Sequence, residues 1–147
     1  MDRGGDDSER GVTCPEGVSQ WAVFSVWLRR RAMSFVCAGR GLALLCLTQA
    51  NFRIHIAASI CAIALGWLFW ISVIEWLILV LTIALVLTTE ALNTVLEKTV
   101  DLCQPDRHPA ARDAKDLSAA AVLIASTCAF IVGVVLFGPR LARLLTG

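Results

Sequence analysis

The stretch WLILVLTIALVLTTEALNTVLEKTVD, Trp76 to Asp101, decides the fold of this chain. Its first half, up to Leu87, is apolar apart from one threonine and holds no Gly or Pro, which reads as a membrane-spanning helix. Its second half turns polar in a regular way. At about 100° per residue, Asn93, Glu97 and Asp101 fall roughly −60°, −20° and +20° from Glu90. The four side chains therefore share one face, with Thr94 beside them. A charged carboxylate at bilayer depth costs roughly 2.5–3.5 kcal/mol or more. Helix–helix seams more often use Ser, Thr or a single Asn, so a series of carboxylates points to chemistry rather than packing. Carboxylates at i and i+7 with an amide at i+3 offer hard oxygen ligands, which suit Mg²⁺ shared with substrate phosphates. A carboxylate not used by metal can take a proton from a hydroxyl.

Two more blocks of bilayer-crossing length flank this one. They run from Ile54 to about Ile74 and from Leu117 to Phe137, with the central span at about 76–96. About 20 residues at 1.5 Å rise cover the roughly 30 Å of hydrocarbon. The chain is 57% hydrophobic with mean hydropathy +0.71, well above a soluble domain. An all-α membrane protein with three transmembrane helices follows. Net charge is +1, which favours neither nucleic acid nor an acidic partner. Its distribution says more. Arg29, Arg30, Arg31, Arg40 and Arg53 precede the first span, and Lys98, Arg107, Arg112 and Lys115 lie between the second and third. The turn around Ser72 to Glu75 has none, so the positive-inside rule puts the N-terminus and the second connection in the cytoplasm. Arg140 and Arg143 weaken the bias without reversing it. Glu90 then lies in the inner part of the bilayer, with Glu97 and Asp101 at its cytoplasmic surface.

Residues 1–19 are polar and rich in Gly, Asp and Glu, a disordered composition. WAVFSVWL, Trp21 to Leu28, is too short to span and is followed by three arginines. Residues 1–33 read as a disordered or interfacial extension, with Met33 as an alternative start. Ser34 to Ala50 fits an amphipathic helix on the membrane surface. Pro105 and Pro109 make DLCQPDRHPAARDAKD a loop, with Asp113 or Asp116 capping the third span. Lys115 then sits beside a helix N-terminus, a phosphate-binding environment, although taken alone it reads slightly better as a lysine snorkelling to the membrane interface. Ser118 and the alanines after it read as a small-residue packing face. His55 reads as an interfacial hydrogen-bonding residue. The six cysteines show neither C-x-x-C nor Cys/His spacing, so no disulfide framework or zinc site is expected.

Taken together, E-x-L-N-x-x-x-E-x-x-x-D (Glu90 to Asp101), H-P-x-A (His108 to Ala111) and A-K-D-x-x-A-x-A-V-L (Ala114 to Leu123) resemble the small prokaryotic integral-membrane lipid kinases. That family comprises diacylglycerol kinase and undecaprenol kinase, and ANFRIHIAA (Ala50 to Ala58) is similar to the undecaprenol-kinase branch. The resemblance covers about residues 34–137. It implies a homotrimer in the bacterial inner membrane, with an N-terminal surface helix on each protomer and active sites shared between neighbours at the cytoplasmic face. It implies Mg²⁺ and ATP as requirements and a membrane lipid alcohol as acceptor. Glu90 would be the base on the lipid hydroxyl, and Asn93 would position lipid and γ-phosphate. Glu97 would hold Mg²⁺. Asp101, Lys115 and Asp116 would contact the nucleotide, which His108 would approach. Gln49 stands where the family usually has a second metal-ligating Glu; its amide oxygen can ligate Mg²⁺ but without charge. Arg107 stands where an aromatic is common. Gln49 is also the best support for a rival reading, a non-catalytic scaffold or pseudokinase of the same fold.

Overall fold

The computed structural model describes residues 20–146, and the extension up to residue 19 lies outside the described residues. Four helices follow in order: α1 (Gln20–Thr48), α2 (Ala50–Leu68), α3 (Val73–Cys103) and α4 (Pro109–Thr146). The described residues hold no strand. All four helices are long and apolar enough to cross a membrane, α1 over Phe24–Thr48. The chain divides after Gly41 into two units.

In the first unit α1 runs unbroken through Arg29-Arg30-Arg31, so WAVFSVWL is not a separate patch and the helix starts well before Ser34. The reason is local: Arg, Ala and Met are strong helix formers, and RRRAM contains no breaker. The helix ends at Thr48, where Gln49 adopts an extended backbone (φ −106°, ψ 112°) before α2 begins.

In the second unit α2 stops earlier than expected, at Leu68 rather than near Ile74. The stop is a Schellman turn. Ile71 N–H donates to Gly66 O at 3.2 Å and Trp70 N–H to Trp67 O at 3.3 Å. Trp70 occupies the left-handed position at φ 49°, which usually goes to Gly. Ser72 then opens α3 with a capping box: its hydroxyl accepts from Glu75 N–H, and the Glu75 carboxylate accepts from Ser72 N–H. At 31 residues α3 is about 46 Å long, longer than the hydrocarbon layer, so one end must leave it. Its threonines stay compatible with lipid by donating to carbonyls four residues back, as Thr82 does to Ile78 and Thr89 to Leu85.

The expected capping of α4 by Asp113 or Asp116 is not what forms. The helix begins at Pro109, so both aspartates and Lys115 lie inside it, past the free N–H groups. Pro109 starts the helix rather than ending one, because its missing N–H is an orphan at the first position anyway. His108 supplies the cap: its Nδ1 accepts from Ala110 N–H at 3.2 Å.

α3 packs on both α2 and α4. The apolar core, Ile71, Leu79, Leu136 and Phe137, sits at the α2–α3 turn end. Gly66 is essential to it, since a Cβ there would lie 2.9 Å from Trp76 Cη2. Glu75 and Arg140 close the same end, with Arg140 Nη2 2.8 and 2.9 Å from the two carboxylate oxygens. The core is small and most apolar side chains face outward, Leu81 and Phe130 among them, as a lipid-facing surface requires.

Candidate active site

The polar stripe gathers at the opposite end of the α3–α4 pair, and it is graded in burial. Glu90 is 2% exposed, Asn93 8% and Thr94 4%. Glu97 is half-buried and Asp101 exposed. The helical spacing read from the sequence therefore runs from the protein interior to its surface. Asn93 Nδ2 donates to Glu97 Oε1 at 3.0 Å, and Thr94 Oγ1 donates to Glu90 O at 3.1 Å. Glu90 Oε2 is buried with no hydrogen-bond partner among the described residues. An orphaned buried acceptor costs about 1–3 kcal/mol, more when charged, and such atoms cluster where a ligand or a reaction uses them.

From α4, Ser118 reaches across. Its Oγ lies 2.5 Å from Asn93 Oδ1 and 2.9 Å from Lys115 O. A hydroxyl has one proton, so these two acceptors share it. The packing reading of Ser118 is thus incomplete: it ties the amide of Asn93 to α4. The sequence did carry a signal, because Ser118 follows Lys115 at i+3 and so shares its helix face. One turn nearer the loop, Lys115 Nζ pairs with Asp101 Oδ1 at 2.5 Å. Asn93, Ser118, Lys115 and Asp101 form one connected chain of contacts from the buried end to the surface.

Beside it opens a cleft of about 920 Å³, lined by Asp101, Arg107, His108, Arg112, Lys115 and Asp116 among others. This is the size range of small-molecule sites. Four of the expected nucleotide contacts, Asp101, His108, Lys115 and Asp116, line it. Glu90, Asn93, Glu97 and Gln49 do not, and lie outside the cleft. Asp116 is tethered at 3.6 Å to Arg112 on its own helix, and His108 spends Nδ1 on the α4 cap. Gln49 is half-buried, and its Nε2 lies 3.3 Å from Thr48 Oγ1.

The donor set fits Mg²⁺ in one particular way. No group of three or more His, Cys, Asp or Glu side chains converges among the described residues, so these residues form no closed cage. Mg²⁺ is commonly held by one or two carboxylates with substrate phosphates and water supplying the rest. Glu97 matches that demand: Asn93 engages Oε1, and no bond to Oε2 forms among the described residues.

Fold and site together define a helical membrane protein whose buried polar groups gather at one end of α3 and α4. The prokaryotic diacylglycerol kinase family model matches residues 36–137, and the chain belongs to this family. The undecaprenol kinase of Bacillus subtilis is 41% identical over 114 residues, covering 78% of this chain and 93% of that protein. The diacylglycerol kinase of Synechocystis sp. is 40% identical over 139 residues, covering 94% and 77%. The diacylglycerol kinase of Escherichia coli K12 is 31% identical over 97 residues, covering 66% and 80%. The chain is accordingly a phosphotransferase of the lipid-kinase class.

Proposed function

We propose that the chain transfers the γ-phosphoryl group of ATP to the hydroxyl of a membrane lipid alcohol, with Glu90 as the general base. The observation that carries this is the buried, unpartnered Oε2 of Glu90. It is the one fully buried carboxylate of the stripe, and it keeps an acceptor atom free to take that proton. As the proton passes to Glu90, the hydroxyl oxygen attacks the γ-phosphorus and the bond to the β-phosphate oxygen breaks, giving lipid phosphate and ADP. Phosphoryl transfer depends mostly on positioning and charge neutralisation. Asn93, fixed by Glu97 and Ser118, orients the two reactants. Lys115 exchanges Asp101 for a phosphate when nucleotide enters the cleft, with Asp101, His108 and Asp116 around it. Glu97 would hold Mg²⁺, with the amide oxygen of Gln49 as a candidate neutral second ligand, and the ion would supply neutralisation of phosphate charge.

The favoured acceptor is undecaprenol. ANFRIH and the match over 93% of the Bacillus subtilis undecaprenol kinase support it, with diacylglycerol as competitor. The sparse buried core supports a homotrimer whose sites are completed by neighbouring protomers. The arginines of α1 and the basic α3–α4 connection support a cytoplasmic N-terminus and active site in the bacterial inner membrane. Arg140 does not compete strongly, because Glu75 pairs with it at the far end. The test is an ATP assay in detergent micelles offering undecaprenol and diacylglycerol side by side. Labelled lipid phosphate formed preferentially from undecaprenol is expected; none from either alcohol, with folded protein in hand, refutes the reading.

A further inference from the structure

The family match begins at residue 36, yet α1 begins at Gln20. The part of α1 before that match has a composition of its own. Over its 29 residues α1 carries four arginines, Arg29, Arg30, Arg31 and Arg40, and no Asp or Glu. None of the four makes an ion pair among the described residues. A helix with no internal counter-charge leaves its cations for an external anion.

The aromatic side chains bear on what such an anion would be. At about 100° per residue, Trp21, Phe24, Trp27 and Leu28 fall within one face roughly 120° wide. All four are more than half exposed, Trp21 at 81%. Phe24 and Trp27 stack at 6.2 Å between centroids, and the Arg31 guanidinium lies 5.2 Å from the Trp27 ring centre. A guanidinium stacked on an indole keeps its in-plane N–H donors available for a planar or tetrahedral anion, and the contact limits its freedom beforehand. Trp beside Arg is the pairing expected at the headgroup level of a bilayer, with rings partly in the apolar layer and cations at the phosphates. Sinking four arginines by crossing the bilayer would be far more costly than lying along its surface.

We propose that the Trp21–Arg31 segment is a binding surface for anionic phospholipid headgroups, a role distinct from phosphoryl transfer. Arg31, held by Trp27 within the aromatic face, takes a lipid phosphate, and Arg29 and Arg30, about 140° and 120° from the centre of that face, add long-range positive charge from the other side of the helix. The surface acts on which lipids surround the protein rather than on the chemistry.

The experiment is native mass spectrometry of the full-length protein from mixed micelles containing equal phosphatidylglycerol and phosphatidylcholine. Wild type should retain phosphatidylglycerol in clear excess, and raising ionic strength should reduce it. Each headgroup-facing arginine is worth about fivefold, the equivalent of ~1 kcal/mol. Arg29→Gln, Arg30→Gln and Arg31→Gln combined should therefore lower the excess about fivefold or more, most of it from Arg31, while Arg29→Lys, Arg30→Lys and Arg31→Lys combined should keep most of it. Kinase activity in zwitterionic micelles should be unaltered in both, which separates this surface from the reading of the active site. Equal retention of the two lipids by wild type, or an excess untouched by the Gln variant, overturns the proposal and leaves the segment to an acidic protein partner.

Discussion

Replacing Glu90 should make the protein more stable and nearly inactive at once. Glu90 is 2% exposed, and Oε2 has no hydrogen-bond partner among the described residues. Leaving that atom unsatisfied costs about 1–3 kcal/mol in the resting protein. Glu90→Met, close in volume and without polar atoms, should recover most of this and raise the thermal unfolding midpoint in detergent. Glu90→Gln should recover less, because its amide must still be buried. Both should lose turnover by about 10²–10⁴-fold, the usual effect of removing a general base. Nucleotide affinity should change little, since Glu90 lies outside the loop cleft. The assays are differential scanning fluorimetry, ATP turnover on a lipid alcohol, and nucleotide binding by calorimetry. Opposite signs for stability and activity are the signature of a strained catalytic group. Wild-type turnover in Glu90→Gln refutes the base assignment, and a lowered midpoint in Glu90→Met refutes the claim that the carboxylate is held at a cost.

Three further outcomes are expected. Lys115→Met should raise the KM for ATP about tenfold or more with a smaller effect on lipid KM, whereas Asp101→Asn, which breaks an exposed pair worth under about 1 kcal/mol, should barely alter folding. Glu97→Gln should raise the Mg²⁺ concentration for half-maximal rate, and Gln49→Glu should lower it; an unchanged titration in Gln49→Glu removes Gln49 from the metal site. Gly66→Val should destabilise the α2–α3 turn by about 1–3 kcal/mol through overlap with Trp76, measured by thermal unfolding in detergent.

The helical stripe was legible because its signal is periodic and its cost is high. Glu90, Asn93, Glu97 and Asp101 had to share a face once the segment was a helix, and they do so with burial graded along it. What escaped the sequence was set by single-residue choices between alternatives of similar free energy. Pro109 can end a helix or begin one, and the His108 imidazole decided for beginning by satisfying Ala110 N–H. The end of α2 was missed because a Trp rather than a Gly takes the left-handed position. The continuity of α1 was missed because hydropathy breaks at RRR although helix propensity does not. Ser118 was read through its alanine neighbours, while its partner lies 25 positions away on another helix.

The contact chain from Asp101 through Lys115 and Ser118 to Asn93 carries a thermodynamic obligation. Lys115 and Ser118 lie one turn apart on α4, so under the proposed function a displacement of Lys115 by nucleotide would be passed to the Asn93 amide. Any free energy by which ATP tightens the grip on the alcohol must be returned in equal measure by the alcohol to ATP. Under that reading the two substrates would be partners in assembly rather than independent visitors. A micelle starved of acceptor lipid would lower the protein's appetite for nucleotide, and that economy would guard against futile hydrolysis.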